Sequence, residues 1–234
     1  MSVLVYLIPT VLEEKATETI PLYILEAVKN CQVIFAENER TARRFLKTMS
    51  KDIVIDDFEW YTIHKTEPEL VNTFRQKIRE GKTIAIISEA GCPGIADPGQ
   101  ALVAAAQEMN VTVKPLVGPS SILLALMASG MNGQQFEFVG YLPIDNLERN
   151  KAITALETNS QRKNSTQVFI ETPYRNNQLL ETLLKTCRPA TKLCIAAELT
   201  GVNECIKTKT IAGWRQEKTD LHKKPAIFLL YAGI

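Results

Sequence analysis

Histidine is nearly absent. Only His64 and His222 occur in 234 residues, which makes histidine-rich metal chemistry improbable. Five cysteines, Cys31, Cys92, Cys187, Cys194 and Cys205, form an odd count with no C-x-x-C pair. That argues against a disulfide framework and against a zinc site, so no metal is expected. Reduced thiols in a cytoplasmic protein are the expectation. Excess charge is lacking too. Lys and Arg total 27 against 26 Asp and Glu, a formal net charge of +1. No global field marks a nucleic-acid or membrane binder, and any such partner must be met by a local patch. No apolar run approaches a membrane span. The opening MSVLVYLIPT lacks the basic lead and small-residue cleavage site of a signal peptide and reads as a first strand. Phosphate signatures are missing as well: there is no GxxxxGK[ST], and no GxGxxG follows the first strand.

What is present is the composition of an ordinary globular protein, 45% hydrophobic and 23% charged, long enough for one large domain or two small ones. Short apolar runs alternate with helix-length amphipathic ones. Strands are predicted at Val3–Ile8, Gln32–Ala36, Ile53–Ile55, Thr83–Ile87 and Val111–Pro115. Helices are predicted at Ile20–Lys29, Arg40–Met49, Pro68–Glu80, Gln100–Met109 and Ser121–Ala128. This order implies a mostly parallel sheet with helices on both faces. The glycine- and amide-rich GMNGQQ, Gly130–Gln135, reads as a break between a domain at 1–130 and one at 131–234. The second half is richer in strands, at Phe136–Tyr141, Gln167–Ile170, Lys192–Ala197, Glu204–Thr210 and Ala226–Tyr231, the last apolar enough to be central. Helices fit at Leu147–Glu157 and Asn176–Lys185. A mixed or antiparallel sheet follows from that pattern. The fold class is therefore α/β in two domains.

The stretch SEAGCPGIADPG, Ser88–Gly99, lies between a strand and a helix, at the carboxyl end of the strand, where open parallel sheets bind ligands. Asp97 and Pro98 read as N-cap and first helical residue, and exposed amides there favour a carboxylate or phosphate. Gly91, Gly94 and Gly99 permit positive φ and close approach of a ligand, while Pro93 and Pro98 stiffen the loop. Ser88 and Glu89 offer polar contacts, and Glu89 attracts an ammonium group. A small zwitterion suits this set better than a triphosphate. The competing reading is a capped strand–helix connection without a ligand. Gly118-Pro119-Ser120-Ser121 repeats the logic, with Ser120 as N-cap of the next helix, or as ordinary capping.

The run from Ser88 to Gly130, continuing to FVGYLP (Phe138–Pro143), resembles the tetrapyrrole methylase family. Within it the chain is similar to the branch that methylates cytidine 2′-hydroxyls of 16S ribosomal RNA. The central block corresponds to SDAGTPxxSDPG, then PGPSA with Val117 in place of the proline, then FxGFLP. AENER (Ala36–Arg40), IETPYR (Ile170–Arg175) and AELT (Ala197–Thr200) resemble the branch's CEDTR, YESPHR and RELT. The resemblance implies a homodimer of two-domain chains with S-adenosylmethionine in the cleft between the domains. The loop supplying Ser88, Glu89, Ala90, Gly91, Cys92, Pro93, Gly94, Ala96 and Asp97 would hold the methionine end. Ser120 and Ser121 would lie near the cofactor. Pro173, Tyr174, Arg175, Leu199, Thr200, Pro225 and Ala226 would line its adenosine. The chain departs from the branch at Pro9–Glu14, which keeps a threonine but loses a glycine and an asparagine, and at Thr62–Lys65, which retains one histidine.

Methyl transfer to a ribose hydroxyl needs positioning and is helped by a base. Glu37 and Glu198 follow strand-like runs and are the candidates, against ion-paired or capping roles for each. Arg40, Arg43, Arg44 and Lys47 recur at helical spacing, either as a phosphate grip for substrate RNA or as a solvated face. His64 acts as a base or contacts RNA, or is a surface or structural histidine. Cys92 is a small packed thiol, since nothing pairs it with a base. Tyr174 and Arg175 stack on and pair with a nucleotide or pack a domain junction. Three functions compete: a ribosomal RNA methyltransferase, a methyltransferase of a small molecule such as a tetrapyrrole precursor, and a cofactor-binding protein without catalysis. The missing GxGxGD-type first loop speaks against the second, and the altered Pro9–Glu14 loop sustains the third.

Overall fold

The computed structural model describes residues 3–63 and 68–233. Five short strands form the first unit's sheet, β1 Leu4–Ile8, β2 Val33–Ala36, β3 Glu59–Thr62, β4 Ile84–Ile87 and β5 Thr112–Pro115, and the inner three, β1, β2 and β4, are apolar runs. Such runs suit strands buried on both faces. They form a parallel sheet in the order β3-β2-β4-β1-β5. Alternate side chains feed two cores. Ile8, Ile34, Ala36 and Ile87 join Val28 of α1 (Ile24–Lys29) and Phe45 and Leu46 of α2 (Glu39–Met49). Val33, Phe35, Ile84 and Ile86 join Phe74 of α3 (Pro68–Arg79) and Leu102 and Ala106 of α4 (Gln100–Glu108).

The connections from β1 and β2 thus cover one face, and those from β3 and β4 cover the other. The carboxyl ends of β2, β4 and β1 lie side by side, the edge at which open parallel sheets carry their ligand loops. Register brings those ends level: Ile8 pairs with Ile87, and Ala36 with Ile87.

Two of the sequence expectations fail in this half. Ile53–Ile55 is not a strand. Ile53 is buried in the core, Ile55–Asp57 form one 3-10 turn, and the third strand is Glu59–Thr62. The aspartates halt the apolar run, while the aromatic pair Trp60 and Tyr61 suits a pleated surface and pairs with β2. Asp97 is not an N-cap and Pro98 is not the first helical residue. Helix α4 starts at Gln100, and its N-cap is Gly99, whose φ of 116° only glycine adopts readily.

The second sheet runs β6-β7-β10-β8-β9, from β6 Phe136–Tyr141, β7 Thr166–Ile170, β8 Lys192–Ala197, β9 Cys205–Thr210 and β10 Ala226–Tyr231. Only β6 and β7 are parallel, so the sheet is mixed, with the apolar β10 at its centre. One face carries a core built with α6 (Asn146–Lys163), α7 (Asn176–Thr186) and α8 (Ile211–Trp214). The other receives α5 (Ser121–Ser129), which packs on β8, β9 and β10. Helix α8 was not foreseen, because four residues are too few to show a helical period. The chain divides into compact units at Ser120/Ser121 rather than at Gly130, because α5 shares its apolar surface with the second sheet. No helix among the described residues is long and apolar enough to cross a membrane.

Candidate functional site

In the first unit the loops after β1, β2, β4 and β5 meet at the carboxyl edge of the sheet. Thr10, 3% exposed, clamps the 88–99 loop. Its N–H donates to the Gly91 carbonyl at 2.9 Å, and Gly91 N–H donates back at 3.2 Å. Gly91 sits at φ 74°, and a Cβ there would press on Leu12 and on the Pro119 carbonyl. Gly118 faces Pro9 so closely that a Cβ would overlap that ring. Cys92 Sγ donates to the Pro119 carbonyl at 3.4 Å. Burial and the charge of Asp97 push its thiol pKa up, as suits a packed group and not a nucleophile.

The loop's charge is the informative feature. Glu37, directly after β2, accepts the Glu89 N–H at 2.9 Å. Asn38 caps α2, accepting from the Arg40 and Thr41 amides, and its Nδ2 donates to Glu89 Oε1 at 3.4 Å. Burial together with the charges of Glu37 and Glu89 raises the Asp97 carboxyl to about 6. Two amides of the loop, those of Glu89 and Gly91, are committed to Glu37 and Thr10. Three neighbouring carboxyl groups disfavour an anion and favour a cation.

The basic stripe of α2 is divided. Arg43 pairs with Glu39 at 2.5 Å and lies over the Trp60 ring at 4.9 Å. Arg44 faces the other way, to Glu14 at 3.3 Å. Lys47 Nζ donates to the Lys51 carbonyl at 3.1 Å, and Arg40 is exposed. His64 lies outside the described residues. Ser88 is buried and its hydroxyl donates to the Gly91 carbonyl at 3.4 Å. Ala90, Gly94 and Ala96 lie on the loop surface or just beneath it, Pro93 is buried, and Ala96 holds φ 62°. Ser120 and Ser121 stand where β5 gives way to α5.

In the second unit the register brings together Ile170 and Ile227, and Ala197 and Ala226. The segments 171–176, 198–201 and 222–226 therefore share one edge. Glu171, 5% exposed, accepts from the Thr172 amide at 2.6 Å and from Arg175 Nη2 at 2.7 Å. The Lys223 N–H donates to the Pro173 carbonyl, and the Glu198 N–H to that of Pro225. Glu198 also pairs with Lys224 at 3.4 Å. Tyr174 is 71% exposed, with the His222 ring at its edge and Lys223 Nζ over its face. Leu199 and Ala226 are buried. Glu198, Thr200 and Lys223 all hold positive φ, at 53°, 66° and 60°. For a β-branched residue such as Thr200 that is a genuine outlier. Buried polar atoms without partners gather at this edge: Glu171 Oε2, Asn176 Oδ1 and Thr200 Oγ1. Such groups are costly unless something else satisfies them.

Glu171, Thr10 and Lys224 were missed as functional candidates. Glu171 stands four residues before Arg175 in IETPYR, and the turn closed by the Arg175 N–H on the Thr172 carbonyl brings the pair together. Nothing in the sequence links Thr10 to Gly91.

A two-unit α/β chain, one parallel sheet followed by one mixed sheet, with loops gathered at the sheet edges, defines a class. Residues 16–213 match the family model described as Tetrapyrrole (Corrin/Porphyrin) Methylases, and the chain belongs to that family. Among characterised proteins it is similar to Ribosomal RNA small subunit methyltransferase I of Micromonospora olivasterospora, 33% identical over 170 residues. That match covers 73% of this chain and 51% of the relative, about half its length. The protein of the same name from Buchnera aphidicola is 28% identical over 233 residues, covering 98% of this chain and 78% of the relative. Two solved structures share the fold. Diphthine synthase has a TM-score of 0.68 at 14% identity, covering 99% of this chain and 90% of that one. The methyltransferase CobJ has 0.64 at 16%, covering 99% and 94%.

Proposed function

We propose that the chain is an S-adenosylmethionine-dependent methyltransferase that acts on ribosomal RNA at a ribose hydroxyl, in the cytoplasm and as a homodimer. Family membership and the name borne by its relatives support the reaction and the RNA substrate. The carboxyl cluster of Glu37, Glu89 and Asp97 carries the cofactor reading, because that cofactor presents an ammonium and a sulfonium against one carboxylate. The orphaned polar atoms of Glu171, Asn176 and Thr200 suit a ligand rich in hydroxyl and amino groups. Residues 88–97 would hold the methionine end. Pro173, Tyr174, Arg175, Leu199, Thr200, Pro225 and Ala226 would hold adenosine. When bound, the cofactor supplies an electrophilic methyl group.

Glu37 is the preferred base for the ribose hydroxyl. Its Oε2 is fixed by the Glu89 amide, so the carboxylate has a set orientation. Glu198 is partly neutralised by Lys224, which suits a positioning role. Calorimetry with S-adenosylmethionine and transfer of labelled methyl into ribosomal RNA from cells lacking the protein test the reading. Heat of binding and label in RNA are expected. Label confined to small metabolites would replace RNA by a small substrate, and binding without transfer would leave a cofactor sensor. Glu37→Gln is expected to weaken cofactor binding by only about fivefold, the loss of one charge of the cluster, and to lower turnover at saturating cofactor by about 100-fold or more. Unchanged turnover would remove Glu37 as the base.

A further inference from the structure

A cavity of about 270 Å³ lies wholly within the first unit, between the loop after β1 and helix α2. Thr10, Ser88 and Ala90 line it where the 88–99 loop is braced. One wall is a single face of α2, with Thr41, Phe45 and Thr48 on successive turns. Leu12 and Thr17 line it from the loop after β1, and Arg44 and Glu14 complete the rim.

We propose that this cavity receives one ribonucleoside of the RNA substrate, with Arg44 holding its phosphate; the inference rests on the methyltransferase reading above. Enzymes that act on a nucleotide within a strand take it out of the stack and read it in a pocket. The volume falls just below the range of about 300–1,000 Å³ usual for ligand sites, so it admits one nucleoside and no length of strand. Its lining alternates apolar surface, Leu12 and Phe45, with hydroxyls, Thr41 and Thr48, which matches the flat faces and polar edges of a base and its sugar.

Arg44 is poised for exchange. Its pair with Glu14 is 3.3 Å long between side chains 58% and 67% exposed, the kind of surface contact that holds weakly. A backbone phosphate offers the guanidinium a bidentate anionic partner in its place. Glu14 and Glu89 in the same lining repel a polyphosphate, so a nucleotide with a single phosphate group fits better than a free triphosphate. Glu89 also lines the cavity, and Thr10 ties its floor to Gly91, so an occupant adjoins the donor-holding loop.

The test uses Thr48→Trp, which fills the cavity from an exposed helix position, and Arg44→Gln, which adds no bulk. The four ribonucleoside 5′-monophosphates and their unphosphorylated nucleosides are titrated against the full chain by NMR, alongside methyl transfer to ribosomal RNA. In the wild-type chain at least one monophosphate should shift the resonances of Thr41 and Thr48. Thr48→Trp should abolish that shift and lower kcat/KM for RNA at least tenfold, with S-adenosylmethionine affinity unchanged. Arg44→Gln should weaken the monophosphate and leave its nucleoside unaffected. Wild-type RNA turnover in Thr48→Trp, or no response of cavity residues to any nucleotide, would overturn the proposal while leaving the methyltransferase reading in place. Nucleotide binding in the cavity by a chain that labels no RNA would do the reverse.

Discussion

The two sheet edges reach unusual backbone shapes by opposite means. In the first unit the 88–99 loop uses glycine at three of its four left-handed positions: Gly91, Gly94 and Gly99 take φ of 74°, 79° and 116°, and Ala96 takes 62°. In the second, Glu198, Thr200 and Lys223 take similar φ with full side chains. Glycine visits that region at little cost, whereas other residues lose about 1–2 kcal/mol each. Charge divides the same way. Glu37, Glu89 and Asp97 make the first edge acidic, whereas at the second Glu171 and Glu198 are paired with Arg175 and Lys224. The first edge needs bare backbone because its loops press on each other. The second needs the side chains themselves, and accepts strain to place them.

The strongest way to break that contrast is Gly118→Ala. The new Cβ would overlap Pro9, whose position is fixed at the end of β1. Overpacking of this kind costs about 1–3 kcal/mol. Urea denaturation should show the loss in the first unit's transition. Gly94→Ala has open space around it and should cost only the φ penalty. Equal losses at both positions would mean that close approach is not why glycine is used here.

Much of this architecture was legible in the sequence. The parallel sheet could be read from apolar runs such as Ile84–Ile87, because strands buried on both faces have no polar positions to mask them. The central place of Ala226–Tyr231 followed for the same reason. Ile53–Ile55 misled because a short apolar run can pack under a helix as well as pair in a sheet. The site divided along similar lines. The 88–99 loop declared itself through its glycines and prolines, which act locally. The Thr10–Gly91 clamp, the Pro9–Gly118 contact and the Asn38–Glu89 bond join residues far apart in the chain, and no local pattern encodes them. Glu37 and Thr10 reach the loop from other strands and take up the Glu89 and Gly91 amides, which no local pattern shows.

The acidic character of the first edge predicts a pH dependence. Asp97 titrates near 6, above its ordinary 3.8, because burial and the charges of Glu37 and Glu89 favour its neutral form. Between those two values the folded chain binds more protons than the unfolded one, so this group's contribution to stability falls as pH rises and stays low above 6. Asp97→Asn should therefore stabilise the chain at pH 7–8, an advantage that disappears below about pH 4. S-adenosylmethionine binding should run the other way. Its affinity should drop as pH falls through about 6, by roughly fivefold if one charge is worth about 1 kcal/mol at this site. Calorimetry between pH 5 and 8 reads it. A flat profile in the wild-type chain would mean that the carboxyl cluster does not face the cation.

The smallest effect is the most discriminating for the second edge. Thr200 holds φ 66°, its N–H donates to Glu204 Oε2 at 2.7 Å, and its Oγ1 is buried without a partner. If the strain is kept for the sake of the hydroxyl, removing both should separate stability from binding. Thr200→Gly relieves the left-handed penalty and removes a buried unsatisfied atom, offset by the extra freedom glycine gives the unfolded chain. The net expectation is a gain of a few tenths to about 1 kcal/mol in urea denaturation. S-adenosylmethionine affinity should fall at the same time, because the cofactor loses a hydrogen-bonding partner worth about 0.5–1.5 kcal/mol. Thr200→Ser keeps the hydroxyl, sheds the β-branch, and should retain affinity. A Thr200→Gly chain that is both less stable and unchanged in affinity would make the turn at 198–201 an ordinary structural feature, held by Glu204, the Gly201–Glu198 turn bond and the Glu198–Pro225 bond.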